Sequence, residues 1–126
     1  MTQQERRKFK RAYIKIPVEC RGKNFWQYVE ARDISAGGMF VATEQLEPIK
    51  TKLELMFELA EDEKKYFRAE AVVVWTRQVS VADENGNLQP VGMGLMFTSL
   101  IPITAKEYID QLVIKAGSRD LNSAGS

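Results

Sequence analysis

From residue 12 to residue 98 strand signals dominate, with segments in which apolar residues recur at every second position, and from residue 104 the period becomes that of a helix. This change of period constrains the fold more than any other feature. Residues 12–20 (AYIKIPVEC) are the clearest case: Ala12, Ile14, Ile16, Val18 and Cys20 are apolar, and Tyr13, Lys15, Pro17 and Glu19 fall between them. Side chains of a strand alternate between its faces, so this segment reads as a strand with one buried face. Pro17 has no amide hydrogen to give to a ladder, which predicts an edge or a bulge at that position.

The same reading continues along the chain. Residues 21–24 (RGKN) have turn chemistry, and residues 25–34 form a second strand rich in aromatics at Phe25, Trp26 and Tyr28. Ser35, Ala36, Gly37 and Gly38 make a sharp break, after which residues 39–43 resume an extended run. In residues 53–59, Leu53, Leu55, Phe57 and Leu59 share a side. Residues 66–81 read as one long strand, with Ala69, Ala71, Val73 and Trp75 alternating with Arg68, Glu70, Val72 and Val74. Asn85-Gly86 is a strong hairpin signal. Residues 91–97 form the last strand, where Gly92 and Gly94 imply a close backbone approach or a bend.

Pro102 ends the extended chain. Thr104 and Glu107 have the spacing of a capping box, and Ala105, Tyr108, Ile109, Leu112, Val113 and Ala116 recur at helical spacing. With Gly117 as the residue after the helix, the element spans about 104–116, and residues 117–126, rich in small and polar types, read as a disordered tail. The expected architecture is all-β: about six antiparallel strands curled into a small barrel over residues 12–116, with one C-terminal helix burying its apolar stripe on the sheet.

Composition narrows the chemistry. A chain of 126 residues is one domain by default and buries enough surface to need no staple. It has no His and a single Cys, Cys20. That removes His-activated nucleophiles, thiolate zinc clusters and an internal disulfide, so catalytic residues, metal and cofactor are all expected to be absent. A reduced, cytoplasmic protein is expected, because no segment resembles a targeting signal or a membrane span.

The net charge of +1 conceals a division. Residues 1–11 (MTQQERRKFKR) hold five basic residues against Glu5, and the other 115 residues hold 13 basic against 16 acidic. Positive charge is thus gathered on one arm, read as flexible, which suits an anionic partner. Within it, Arg7 and Arg11 stand four apart with Arg6 just ahead. A guanidinium is a planar fork that matches a phosphate or the Hoogsteen edge of guanine, which an ammonium cannot do. The second constellation is Asp33-Ile34-Ser35-Ala36-Gly37-Gly38. Asp and Ser at a strand end make local turn bonds. They also suit recognition: Asp33 accepting from guanine N–H groups, Ser35 bonding a phosphate or base edge, and Gly37 and Gly38 letting the backbone approach.

An R-R-x-x-x-R arm some twenty residues ahead of a D-x-S-x-x-G turn, an apolar segment Met39-Phe40-Val41, and a closing G-x-G-x-x-F strand at Gly92, Gly94 and Phe97 together resemble the PilZ domain, the bacterial receptor module for cyclic di-GMP. The resemblance covers roughly residues 6–115. It implies a six-stranded antiparallel β-barrel of split-barrel type with a C-terminal helix. It implies that Arg7 and Arg11 clamp phosphates and guanine edges as the arm folds over the ligand. It further implies that Arg6 goes with an intercalated cyclic di-GMP dimer, and that Asp33, Ser35 and Gly38 contact guanine and shape the pocket floor. Trp75 lies where some members place an aromatic against a base, although the same ring serves equally in a core. Arg77 is a weaker candidate, and Trp26 and Tyr28 read as packing residues.

The expectation is therefore a cyclic di-GMP receptor, a monomer or weak dimer, that orders its arm on binding and signals to an unidentified effector protein in trans, with no nucleic acid bound and no membrane insertion. The alternatives are a small barrel for single-stranded nucleic acid, which the acidic body disfavours, and an interaction module that binds no nucleotide.

Overall fold

Ile16, Val18 and Cys20 point into a common core from the first strand while Tyr13, Lys15 and Pro17 are exposed, as the alternation requires. A computed structural model describes residues 12–23, 25–59 and 66–125. Its elements are β1 (Ala12–Arg21), β2 (Trp26–Ser35), β3 (Gly38–Ala42), β4 (Lys52–Glu58), β5 (Tyr66–Arg77), β6 (Val81–Ala82), β7 (Leu88–Gln89), β8 (Gly92–Ile101) and α1 (Ala105–Gly125). Six strands close into a barrel in the order β1-β2-β3-β8-β5-β4, with every pairing antiparallel. Closure by β1 against β4, with Val18 opposite Phe57, gives every barrel strand a partner on both sides along part of its length.

The core is filled by one face of each strand: Leu53, Leu55 and Phe57 from β4, Phe67, Ala69, Ala71 and Val73 from β5, Met93 and Leu95 from β8. Helix α1 begins directly after Thr104, as the capping pattern predicts, and adds Ala105, Ile109 and Val113 to that core. Tyr108 also packs its ring 5.4 Å from that of Phe67. Among the described residues no helix is long and apolar enough to cross a membrane.

Pro17 sits where β1 has one neighbour. It pairs with Glu30 on β2, whereas pairing with β4 starts only at Val18. A bulge lies just upstream, between Tyr13 and Ile16.

Two expectations need correction. The long strand ends at Arg77 rather than at residue 81, and Val81 belongs to a separate two-stranded sheet, β6–β7, hung between β5 and β8. Asp83 builds that hairpin: its Oδ1 accepts the amides of Asn85 and Asn87, both at 2.9 Å. The helix, in turn, continues to Gly125, over residues expected as a disordered tail. Gly117 does not end it, because a glycine cap needs a left-handed backbone, and Gly86 is the one described glycine with a positive φ.

Candidate functional site

The turn between β2 and β3 is built from its own side chains. Ser35 pairs with Gly38, leaving Ala36 and Gly37 to reverse the chain. The Ser35 hydroxyl accepts the Gly37 amide at 3.1 Å and reaches the Gly38 carbonyl at 3.5 Å. Ser35 is 1% exposed, so its hydroxyl is committed to shaping the turn. The Gly37 carbonyl accepts the Phe97 amide at 2.8 Å, which fastens the turn to β8.

Asp33 stands at a bulge in the β2–β3 ladder, beside the irregularity between Ala31 and Asp33. Its Oδ1 accepts the Phe40 amide at 3.2 Å. A bulge re-aims the side chain next to it, and here the half-buried carboxylate lies at the rim of the turn.

An aromatic platform adjoins the turn. Gly94 on β8 pairs with Phe40 on one side and with Trp75 on the other. Having no side chain, Gly94 lets the two rings meet above it, with centroids 5.3 Å apart and planes 12° from parallel. A Cβ at Gly94 would collide with the indole Nε1 of Trp75. A second bulge decides which way Trp75 faces. By simple alternation Trp75 would follow Ala69, Ala71 and Val73 inward. The register slips between Val73 and Trp75, and the indole emerges on the outer face at 41% exposure.

Arg77 completes the platform. Its guanidinium carbon lies 5.1 Å from the Phe40 centroid and 5.3 Å from that of Trp75, within cation–π range. Its Nη1 donates to the Pro90 carbonyl at 3.1 Å.

Turn and platform enclose a cleft of about 1030 Å³ on the outside of β3, β8 and β5. That is at the top of the range of roughly 300–1,000 Å³ usual for small-molecule sites. Asp33, Ser35 and Gly37 line one wall, Phe40, Trp75 and Arg77 the floor, and Asp83, Asn87 and Gln89 of the hairpin the opposite wall. Gly38 does not line it. A Cβ there would strike the Leu95 carbonyl oxygen, so Gly38 serves the close approach of β3 to β8. Arg6, Arg7 and Arg11 lie outside the described residues.

Sequence reasoning missed the hairpin wall and Phe40. Phe40 had a signal: a ring needs a glycine beneath it to lie flat on a sheet, and Gly94 was already marked as a close-approach position. Tyr13 and Met96 also line the cleft and had no signal. Trp26 and Tyr28, read as packing residues, are instead 58% and 71% exposed, with ring centroids 5.3 Å apart on the outside of β2.

Chemically, the cleft offers a flat ring for stacking, a carboxylate for N–H donors and one guanidinium. Among the described lining residues, two carboxylates, Asp33 and Asp83, stand against the single cation Arg77.

Comparison with known proteins follows the same outline. The family model of the PilZ domain matches residues 5–115. The fold resembles that of the Bacillus subtilis inhibitor of motility MotI/DgrA, at 23% identity and a TM-score of 0.69, covering 92% of this chain and 52% of that one. It also resembles the PilZ domain of YcgR from Escherichia coli, solved with c-di-GMP, at 14% identity and a TM-score of 0.67, covering 96% of this chain and 98% of that one. This chain thus spans about half the length of the Bacillus protein. The comparison with curated proteins gave no match.

Proposed function

We propose, from the premise that this chain belongs to the PilZ domain family, that it is a receptor for cyclic di-GMP and binds it in the cleft between the 33–38 turn and Trp75. The observation that carries this reading is the meeting in one cleft of Asp33, Ser35 and Gly37 with the outward-facing indole of Trp75. The PilZ domain of YcgR, of like fold, was solved with c-di-GMP.

Each part has a task. One guanine stacks on Trp75, whose ring is held in place by the Phe40 ring stacked on it and the Arg77 guanidinium over it. Asp33 accepts from the N–H groups of another of the ligand's guanines. Ser35 acts through the turn, holding the Gly37 and Asp33 region in shape. The ligand carries two phosphate charges, and the described cleft wall has more carboxylates than cations, so neutralisation falls to the arm. Arg7 and Arg11 clamp phosphate and guanine edges, and Arg6 supports a second, intercalated ligand molecule, which the large cleft volume favours. The five positive charges of residues 1–11 are neutralised as the arm closes over the bound ligand. The closed arm is the surface that an effector protein reads. The role is binding and regulation rather than catalysis, in the cytoplasm, by a monomer or weak dimer.

Isothermal titration with cyclic di-GMP, GTP and a short single-stranded oligonucleotide tests this reading. Saturable heat with the cyclic dinucleotide alone, at two ligands per chain, is expected. No saturable heat with it refutes the reading, and a 1:1 complex refutes the role of Arg6.

A further inference from the structure

The β6–β7 hairpin stands outside the barrel, and neither motif includes it. Register decides which side of it meets the cleft. Val81 pairs with Gln89 and Ala82 with Leu88, so Gln89 and Leu88 lie on opposite faces. Gln89 lines the cleft, whereas Leu88 is 72% exposed.

Gln89 is held in one orientation. Its Nε2 donates to Asp83 Oδ2 at 3.2 Å, and Asp83 is itself fixed by the two turn amides on its Oδ1. Further backbone bonds brace the hairpin, from the Asp83 amide to the Asn87 carbonyl at 2.8 Å and from the Gly86 amide to the Asp83 carbonyl at 3.0 Å. At its root, the Pro90 carbonyl takes the hydrogen bond from Arg77, the residue lying against Trp75. The amide of Gln89 is therefore set at a defined position relative to the aromatic floor.

An amide so held presents Oε1 as an acceptor and the second Nε2 hydrogen as a donor. Guanine carries the complement side by side on its Watson–Crick edge: the N1–H donor and the O6 acceptor. Adenine has the reverse, an N6 amino donor beside the N1 acceptor. To read adenine in the same stacked setting, the amide would have to turn over. That would set Oε1 against the Asp83 carboxylate, oxygen against oxygen, which is repulsive.

We propose that Gln89, oriented by Asp83, reads the Watson–Crick edge of a guanine stacked on Trp75 and makes the site select guanine over adenine. This rests on the receptor reading above and extends it to base specificity.

The test compares dissociation constants for cyclic di-GMP and cyclic di-AMP on the parent and on Gln89→Ala and Gln89→Glu, with a thermal melt of each. The parent should prefer cyclic di-GMP. Both variants should melt with the parent, since Gln89 lies outside the barrel, and should bind cyclic di-GMP roughly 3- to 10-fold more weakly, as expected for one or two lost hydrogen bonds. Binding of cyclic di-AMP should not weaken, so that selectivity narrows. A parent that binds neither dinucleotide overturns the receptor reading and this proposal with it. A parent that binds cyclic di-GMP, with variants keeping its affinity and selectivity, overturns the proposal alone.

Discussion

Phe40 and Trp75, on strands that do not pair with each other, stack 5.3 Å apart across Gly94 of the strand between them. The stack turns part of the barrel's outer wall into a flat aromatic floor, and the position of the glycine makes it possible. Gly94→Ala should therefore displace the indole, because a Cβ there meets Nε1. The expected outcome is a shift in tryptophan fluorescence and at least ~10-fold weaker binding of cyclic di-GMP. Melting should fall by only a few degrees, equivalent to roughly 1 kcal/mol. Parent-like affinity in this variant would show that the stack is not part of the site.

Asp33 joins the turn to the platform through the Phe40 amide. Asp33→Asn keeps an acceptor for that amide and removes the charge, whereas Asp33→Ala removes both. Binding measured by titration should fall in both variants, by roughly 10-fold or more for the loss of charge-assisted bonds to guanine. Only the alanine variant should also lose stability in urea, by about 1 kcal/mol. Unchanged affinity in Asp33→Asn would remove Asp33 from the ligand contacts.

Ser35 illustrates a residue that acts through its neighbours. Ser35→Ala strips the Gly37 amide of its partner in a buried turn, at a cost of about 1–3 kcal/mol. Chemical denaturation should register that loss, and the affinity should drop in step with it. A variant of full stability but no affinity would indicate direct contact with the ligand instead.

Arg7→Ala and Arg11→Ala make the opposite pattern. Each should weaken cyclic di-GMP binding roughly 10-fold or more, since bonds to charged groups contribute about 1.5–3 kcal/mol. Stability without ligand should stay within about 0.5 kcal/mol of the parent. A marked fall in the melting temperature of the free variants would assign the arm a structural role.

Cys20 provides a pH test of the core. Burial, helped by the nearby charge of Glu47, pushes its thiol from 9.0 up to about 12. The unfolded chain releases that proton near 9.0 and the folded chain does not, so the contribution is intact below 9.0 and is lost as pH rises toward 12. The loss is about 1.4 kcal/mol per pH unit within that window. Urea unfolding at pH 8 and pH 10 should show a steeper loss in the parent than in Cys20→Ala. Equal losses would mean that the thiol is not buried as described.

Much of this was legible in the chain because the signals are periodic or chemically specific. Alternation in β1, β4 and the first half of β5 gave the buried faces, Asn85-Gly86 marked the hairpin turn, and the change of period at Thr104 marked the start of α1. The cleft itself depends on departures from periodicity. Alternation alone sends Trp75 inward; the slipped register after Val73 sends it out, and an extra residue in a strand leaves no compositional trace. The hairpin wall was hidden for a related reason. Val79 and Val81 continue the apolar pattern of β5, so the strand seemed to run on where the chain had left the barrel, and both side chains are in fact exposed. Ser35 could be placed on the turn but not given a direction, because recognising a ligand and stapling a turn require the same hydroxyl. The end of α1 was misjudged because Gly117 permits a helix stop without imposing one.

In the proposed complex cyclic di-GMP occupies the cleft over the Phe40–Trp75 stack and draws the basic arm across it. A crystal structure of the complex tests this most directly. A guanine is expected against the indole of Trp75, with residues 5–11 closed over the 33–38 turn and Arg7 and Arg11 on the ligand. A dinucleotide seated elsewhere, or one in this cleft with the arm making no contact to it, would overturn the proposed mode of binding.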